Sequence, residues 1–245
     1  MIRPATLPRS VIALLAAALA LGLGCGKKEP SQGAPTAAAG GTDDSQVVYD
    51  KLGRDRDTYV RYIPANPDNL NPIIQRDTYS QYILEYVFDP LYRYDVNNNL
   101  ALAPSFALSL PAITDGGKVF TVPLRKDARW TDGHPVTAHD WVYGYEMVVN
   151  KEVDSAQKKS YYADVEYFKA IDDFTLEIRM KKPYAFYGNL LTMNSVVPKH
   201  VFGNVSPAGF NSFKYPEGHK WAGTAYSLKP LGFGAYSVER FEPQK

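Results

Sequence analysis

LRKDARWTDGHPVTAHDWVYGYEMVV, residues 124–149, decides the fold. It reads as the end of a strand, a tight turn and a capped helix. Asp132-Gly133 is the turn pair, because glycine accepts positive φ and aspartate can hydrogen-bond back to its own backbone. Thr137 stands three residues ahead of Asp140, just before an apolar run. A capping box, with Asp in the usual glutamate position, is therefore expected to start the helix. Behind it Trp141, Val142, Tyr145, Val148 and Val149 recur at the spacing of one helical face. The result is a strand–turn–helix unit laid on a core, with Trp130 a core aromatic, Asp132 a turn residue and Asp140 part of the cap.

Working outward, Val119 to Leu124 is the preceding strand, entered from an Asp115-Gly116-Gly117 turn. Pro123 removes a ladder donor there and implies an edge or a bulge. Thr175 to Met180 alternates, with Leu176, Ile178 and Met180 facing inward, and residues 170–175 make the hairpin that leads into it. On the N-terminal side, Thr58 to Ile63 is expected as a first strand, followed by the proline-punctuated loop PANPDNLNP. A helix follows, with a stripe of Tyr79, Tyr82, Ile83, Tyr86 and Val87, and with Asp77 or Thr78 as its N-cap. Tyr92 to Tyr94 is a short strand ending in the turn Asn97 to Asn99. Strands and helices mixed in this way predict an α/β lobe.

The ends are of another kind. Residues 1–24 carry Arg3 and Arg9 ahead of an apolar run, Val11 to Leu23, too short for a stable bilayer span; they read as a signal peptide. Cys25, the single cysteine, follows at once, with Gly22 three residues before it. It reads as the acceptor of a bacterial lipoprotein lipid, against a conventional secretory signal with an incidental thiol. Residues 25–57, rich in Pro, Gly, Ala and Ser, read as a lipid-anchored flexible tether unable to bury a core. Residues 58–245 remain for one domain. The net charge of +1 gives no basic stripe for nucleic acid.

Chemistry is sparse. His134, His139, His200 and His219 share no metal-ligand spacing, and no HExxH, CxxC, Gly-Lys-Thr loop or G-x-S-x-G elbow is present. No cofactor, metal or catalytic residue is expected, and the protein is not expected to be an enzyme. Tyrosine stands out instead, with 18 residues. Tyr161 and Tyr162, in the polar stretch KKSYYADVEY, suit a roomy cleft because tyrosine offers a flat apolar face and one hydroxyl.

The residues Phe120, Leu124-Arg125, Trp130, Thr131-Asp132-Gly133, Pro135, Val136, Thr137-Ala138 and Asp140-Trp141 resemble a signature of one family. It is that of the extracytoplasmic solute-binding proteins of peptide-type ABC importers, the oligopeptide- and dipeptide-binding family. Leu70-Asn71-Pro72, residues 170–175, residues 194–199 and KPLGFGAYSV, residues 229–238, resemble further anchors of that family in the same order, the last as a strand. The resemblance implies a periplasmic-binding-protein-like mixed sheet with flanking helices. It also implies that residues 58–245 form the first lobe only, with the second lobe and the C-terminal return outside these residues. It further implies a lipid-anchored monomer in the periplasm or at the cell surface, which captures short peptides between two hinged lobes and delivers them to a permease. By position the ligand-binding residues would be Arg76, Asp77, Thr78 and Tyr79, in the loop after Leu70-Asn71-Pro72, with Tyr161 and Tyr162 lining the cleft. Arg76 either meets a ligand carboxylate or is a solvated side chain. A nickel chelate, haem or sugar as ligand, a truncated surface lipoprotein, and a secreted enzyme with an unrecognised site are the alternatives.

Overall fold

The structure, a computed structural model, describes residues 61–242. The expected signal peptide, Cys25, the expected tether and residues 58–60 of the expected first strand lie outside the described residues. Arg61 to Ile63, the part of that strand within them, carries no strand pairing.

The deciding stretch folds as its residues dictate. Strand β4 (Val119–Pro123) leads through Leu124 into a turn in which the Gly133 N–H donates to Trp130 O at 2.8 Å, and Gly133 takes φ 97°. Helix α2 (Ala138–Val149) then starts in a capping box. Its best-made half is the Thr137 N–H donating to Asp140 Oδ2 at 2.8 Å; the Thr137 hydroxyl meets the same oxygen at 3.3 Å. Asp140 is buried and also accepts the Lys199 N–H at 2.8 Å and the Trp130 indole N–H at 3.3 Å. One carboxylate thus ties the turn, the helix start and a distant segment together. The buried face of α2 differs from the expected one. Ala138, Trp141, Tyr143, Gly144, Met147 and Val148 go inward, whereas Val149 is exposed. The helix is buried over a wider arc than a single stripe, because a segment far along the chain, Ser195-Val196, lies directly on Gly144.

The main sheet has the order β3-β4-β6-β5, with β3 at Ala112–Thr114, β5 at Val165–Asp172 and β6 at Thr175–Met180. Every pairing among the described strands is antiparallel. Leu176, Ile178 and Met180 face the core, as the period-two alternation requires. Pro123 does end the ladder on one side. The Leu124 N–H donates to Phe174 O, so the donor that Pro123 lacks would face the opposite side, ahead of the first residue of β3. A separate hairpin joins β1 (Tyr92–Asp95) and β2 (Ala101–Pro104) through the Asn97–Asn99 turn. Helix α2 covers β5, and an aromatic cluster fills the space beyond it. Phe233 stands 4.9 Å from Trp130 and 5.2 Å from Phe106, ring centre to ring centre.

Two further expectations change. Helix α1 (Thr78–Val87) is capped by Asp77, as read, but its buried residues are Ser80, Leu84 and Val87. The tyrosine stripe lies on the half-exposed flank, where amphipathic rings keep their hydroxyls wet. Residues 229–238 form no strand. Among the described residues no strand lies beside them; instead the Phe233 and Gly234 N–H groups donate to Val87 O, and the Tyr236 N–H donates to Tyr86 O. A Cβ on Gly232 or Gly234 would come within 3 Å of that helix end, so only glycine permits the approach.

Candidate functional site

A hollow of about 280 Å³ opens between the start of α1, the short helix α3 (Ala156–Lys159) and the segment at Thr192 to Asn194. Its walls are Gln75, Arg76, Asp77, Thr78 and Gln81 on one side, Gln157, Lys158 and Tyr161 on a second, and Thr192, Met193 and Asn194 on a third. Four of the six residues nominated from sequence therefore meet here: Arg76, Asp77, Thr78 and Tyr161.

Their roles differ. Asp77 is engaged by its own helix, accepting the Ser80 N–H at 2.7 Å, the Ser80 hydroxyl and the Asp68 N–H at 3.2 Å. Burial opposes its charge, yet these bonds hold its carboxyl below the usual range. Arg76 is exposed and paired with Asp154, itself exposed. Tyr161 is exposed beside the hollow, with a free ring face. Tyr79 is half-buried against Tyr82 and does not line the hollow. Tyr162 requires correction. It is 4% exposed, set among Tyr145 and Phe168, and belongs to the core. Adjacent residues in a turn point in different directions, so the pair Tyr161-Tyr162 divides between solvent and interior.

The residue that sequence reasoning missed is Lys158. It is 7% exposed, and among the described residues no carboxylate pairs with it. Its ammonium donates to Pro72 O, just ahead of the Gln75–Thr78 wall, and to Asn194 O at 3.1 Å on the opposite wall. Burial pulls its pKa down to about 8. In the run Lys158-Lys159 nothing distinguishes an inward lysine from a solvated one. Asn194, buried at the same wall, has no hydrogen-bond partner for its side-chain oxygen among the described residues. The hollow thus offers amides, hydroxyls and two cations, with one aromatic face. That set can orient a polar, peptide-like ligand.

The histidines are a second correction. Separated in sequence, His134 and His200 converge on Asp132. His134 Nδ1 lies 3.2 Å from Asp132 Oδ1, and His200 Nε2 lies 2.8 Å from Asp132 Oδ2. His219 Nε2 approaches the same carboxylate at 4.0 Å, while His139 stands apart beside Asp173. Burial opposes the charge of Asp132, but the bonds from His200 and the His134 N–H hold its carboxyl below the usual range.

Residues 101–245 match the family described as bacterial extracellular solute-binding proteins, family 5 Middle. Protein XP55 of Streptomyces lividans is 32% identical over 145 residues, covering 59% of this chain and 25% of that protein. The periplasmic oligopeptide-binding protein OppA of Escherichia coli K12 is 32% identical over 139 residues, covering 46% of this chain and 23% of its relative. Among solved structures, the oligopeptide-binding protein AppA of Bacillus subtilis, in complex with a nonapeptide, is similar at TM-score 0.55 and 26% identity, over 60% of this chain and 29% of that one. The chain spans about a quarter of the length of these proteins.

Proposed function

The chain belongs to the bacterial extracellular solute-binding proteins, family 5, and on that premise we propose that it captures short peptides outside the cytoplasmic membrane and delivers them to the permease of an ABC importer. The observation that carries this reading is the hollow under Arg76 to Thr78. It gathers amide, hydroxyl, cationic and tyrosyl groups from three separate segments, with an unpaired acceptor on Asn194. Its volume of about 280 Å³ is at the lower end of ordinary ligand sites, which start near ~300 Å³, and suits one part of an extended peptide. The likeness to proteins named for oligopeptide binding supports the choice of ligand.

The protein acts by binding, as an exported monomer. In this reading residues 1–24 are removed, Cys25 carries the lipid, residues 25–57 are the tether, and residues 58–245 contribute the first lobe. Arg76 and Tyr161 touch the ligand, Thr78 offers backbone and hydroxyl beside it, and Asp77 shapes the loop as a cap.

Photo-crosslinking tests the site. A benzophenone side chain placed at position 161 should form adducts with a pool of three- to nine-residue peptides, even at millimolar affinity. The same group at Tyr94, whose hydroxyl instead meets Asn189 at 2.7 Å away from the hollow, should give none. Equal labelling at the two positions, or none at 161, refutes peptide capture at this hollow.

A further inference from the structure

We propose that Asp132, His134 and His200 form a binding site for a divalent late first-row transition metal, of the zinc, nickel or copper class, separate from the peptide hollow. Three observations carry it. The first is geometry. One ligand atom from each residue lies within 4.8 Å of the others. A tetrahedral ion with bonds of 2.0–2.1 Å holds its ligand atoms about 3.3 Å apart. The two histidine–carboxylate distances, 3.2 and 2.8 Å, fall just short of that value, so the three groups need open only slightly to admit an ion. The His134 and His200 rings stack with centres 4.2 Å apart and present their nitrogens to the same carboxylate.

The second observation is the donor set. Two imidazoles and a carboxylate suit borderline metals and disfavour magnesium or calcium, which take oxygen ligands. The third is His219. Its Nδ1 accepts the Trp221 N–H at 3.2 Å, so in the neutral ring the proton sits on Nε2. That N–H is buried, has no hydrogen-bond partner among the described residues and lies 4.0 Å from Asp132 Oδ2. Metal-ligating carboxylates are oriented by such outer donors. His219 is thus the positioning residue of the site, and its orphaned donor is satisfied when Asp132 settles on an ion.

The site is built on rigid parts. Asp132 sits in the turn closed by Trp130 and Gly133, and His200 lies in the first turn of α4 (Lys199–Phe202), whose Lys199 N–H is held by Asp140. Lys220, the neighbouring cation, is drawn off to Thr131 O and the Trp221 ring. His134 is 60% exposed in its side chain, which leaves an open coordination position toward solvent for water or a small ligand.

The test is calorimetry of the tag-free full chain with Zn²⁺ and with Ni²⁺, together with the visible spectrum of the Co²⁺ form. A single equivalent should bind, and tetrahedral Co²⁺ bands should appear. His134→Ala and His200→Ala should each weaken binding at least about tenfold, and His219→Gln should weaken it less than either. His139→Ala should leave it unchanged, because His139 stands apart beside Asp173. His134 is exposed, so its variant tests the site without risk to the fold. Absence of binding to the unaltered chain, or binding that survives His134→Ala at full strength, overturns the proposal.

Discussion

Replacing Lys158 with methionine should change stability in a way that depends on pH, and the sign follows from its surroundings. The ammonium is almost fully enclosed and has no carboxylate partner among the described residues; Asp77 is engaged by Ser80, and Asp154 by Arg76. Burial lowers its pKa from 10.5 to about 8. At 1.36 kcal/mol per pH unit, keeping the charged form inside costs about 3 kcal/mol relative to the unfolded chain. Below pH 8 the lysine is charged in both states and the folded state bears the whole cost. Between pH 8 and 10.5 the unfolded chain binds more protons, so the wild type gains stability as pH rises. Methionine fills a similar volume and carries no proton. It strands the Pro72 and Asn194 carbonyls, a pH-independent loss of roughly 1–3 kcal/mol for each buried group left unpaired. The slope, not the intercept, is therefore diagnostic. Urea unfolding of both proteins should show the wild type gaining about 2 kcal/mol on Lys158→Met between pH 7 and pH 9.5. Comparing the two proteins cancels the tyrosines, which titrate in both. A difference that stays flat to within about 0.5 kcal/mol would refute the claim that Lys158 is an uncompensated buried cation.

Asp140→Ala should cost roughly 3–5 kcal/mol in thermal or urea unfolding, because it strands the Thr137 and Lys199 N–H groups and the Trp130 indole. Thr137→Ala, which removes the hydroxyl's half of the capping box and its 3.3 Å contact with Asp140 but leaves the Thr137 N–H bond, should cost about 1 kcal/mol or less, and Thr137→Ser should be nearly silent. Gly144→Ala places a Cβ 1.8 Å from Ser195 O; a loss of at least about 3 kcal/mol is expected, together with weaker crosslinking at position 161. Cys25→Ser should move the protein from the membrane to the soluble fraction, since stable anchoring needs more than one acyl chain, each contributing about 0.8 kcal/mol per buried CH₂.

The local grammar of the fold was legible in the sequence because it rests on short-range rules. The Asp132-Gly133 turn, the Thr137/Asp140 cap, the Asp77 cap and the alternation of Thr175 to Met180 each involve residues within a few positions of one another. What escaped the sequence depends on segments that meet only in space. The buried face of α2 is set by Ser195-Val196 lying on Gly144, and no periodicity within residues 138–149 reports that. The resemblance makes KPLGFGAYSV a strand, and nothing within the stretch reports that Gly232 and Gly234 instead let the chain run along the end of α1. For the same reason the loop Arg76 to Thr78 and Tyr161 could be nominated from resemblance, while Lys158 and the His134–His200 convergence on Asp132 could not be read at all. Charge and imidazole chemistry are visible in a sequence, but their partners are not.

The hollow divides its labour between a fixed frame and an exchangeable surface. Lys158 bridges two walls that are more than a hundred residues apart in the chain, through carbonyl bonds that a ligand cannot take without exposing a buried charge. Asp77 is likewise spent on its helix. Arg76 is different. Its bond to Asp154 joins two side chains each more than half exposed, and pairs of that kind contribute only about 0–1 kcal/mol. A peptide carboxylate can therefore replace Asp154 on the guanidinium at little cost and keep the planar, two-toothed geometry that arginine offers. Lys158, still largely protonated at neutral pH, adds its field to the same end of the hollow without touching the ligand. In the proposed function the frame thus supplies position and potential, and the weak exposed pair supplies the bond that opens and closes with each ligand.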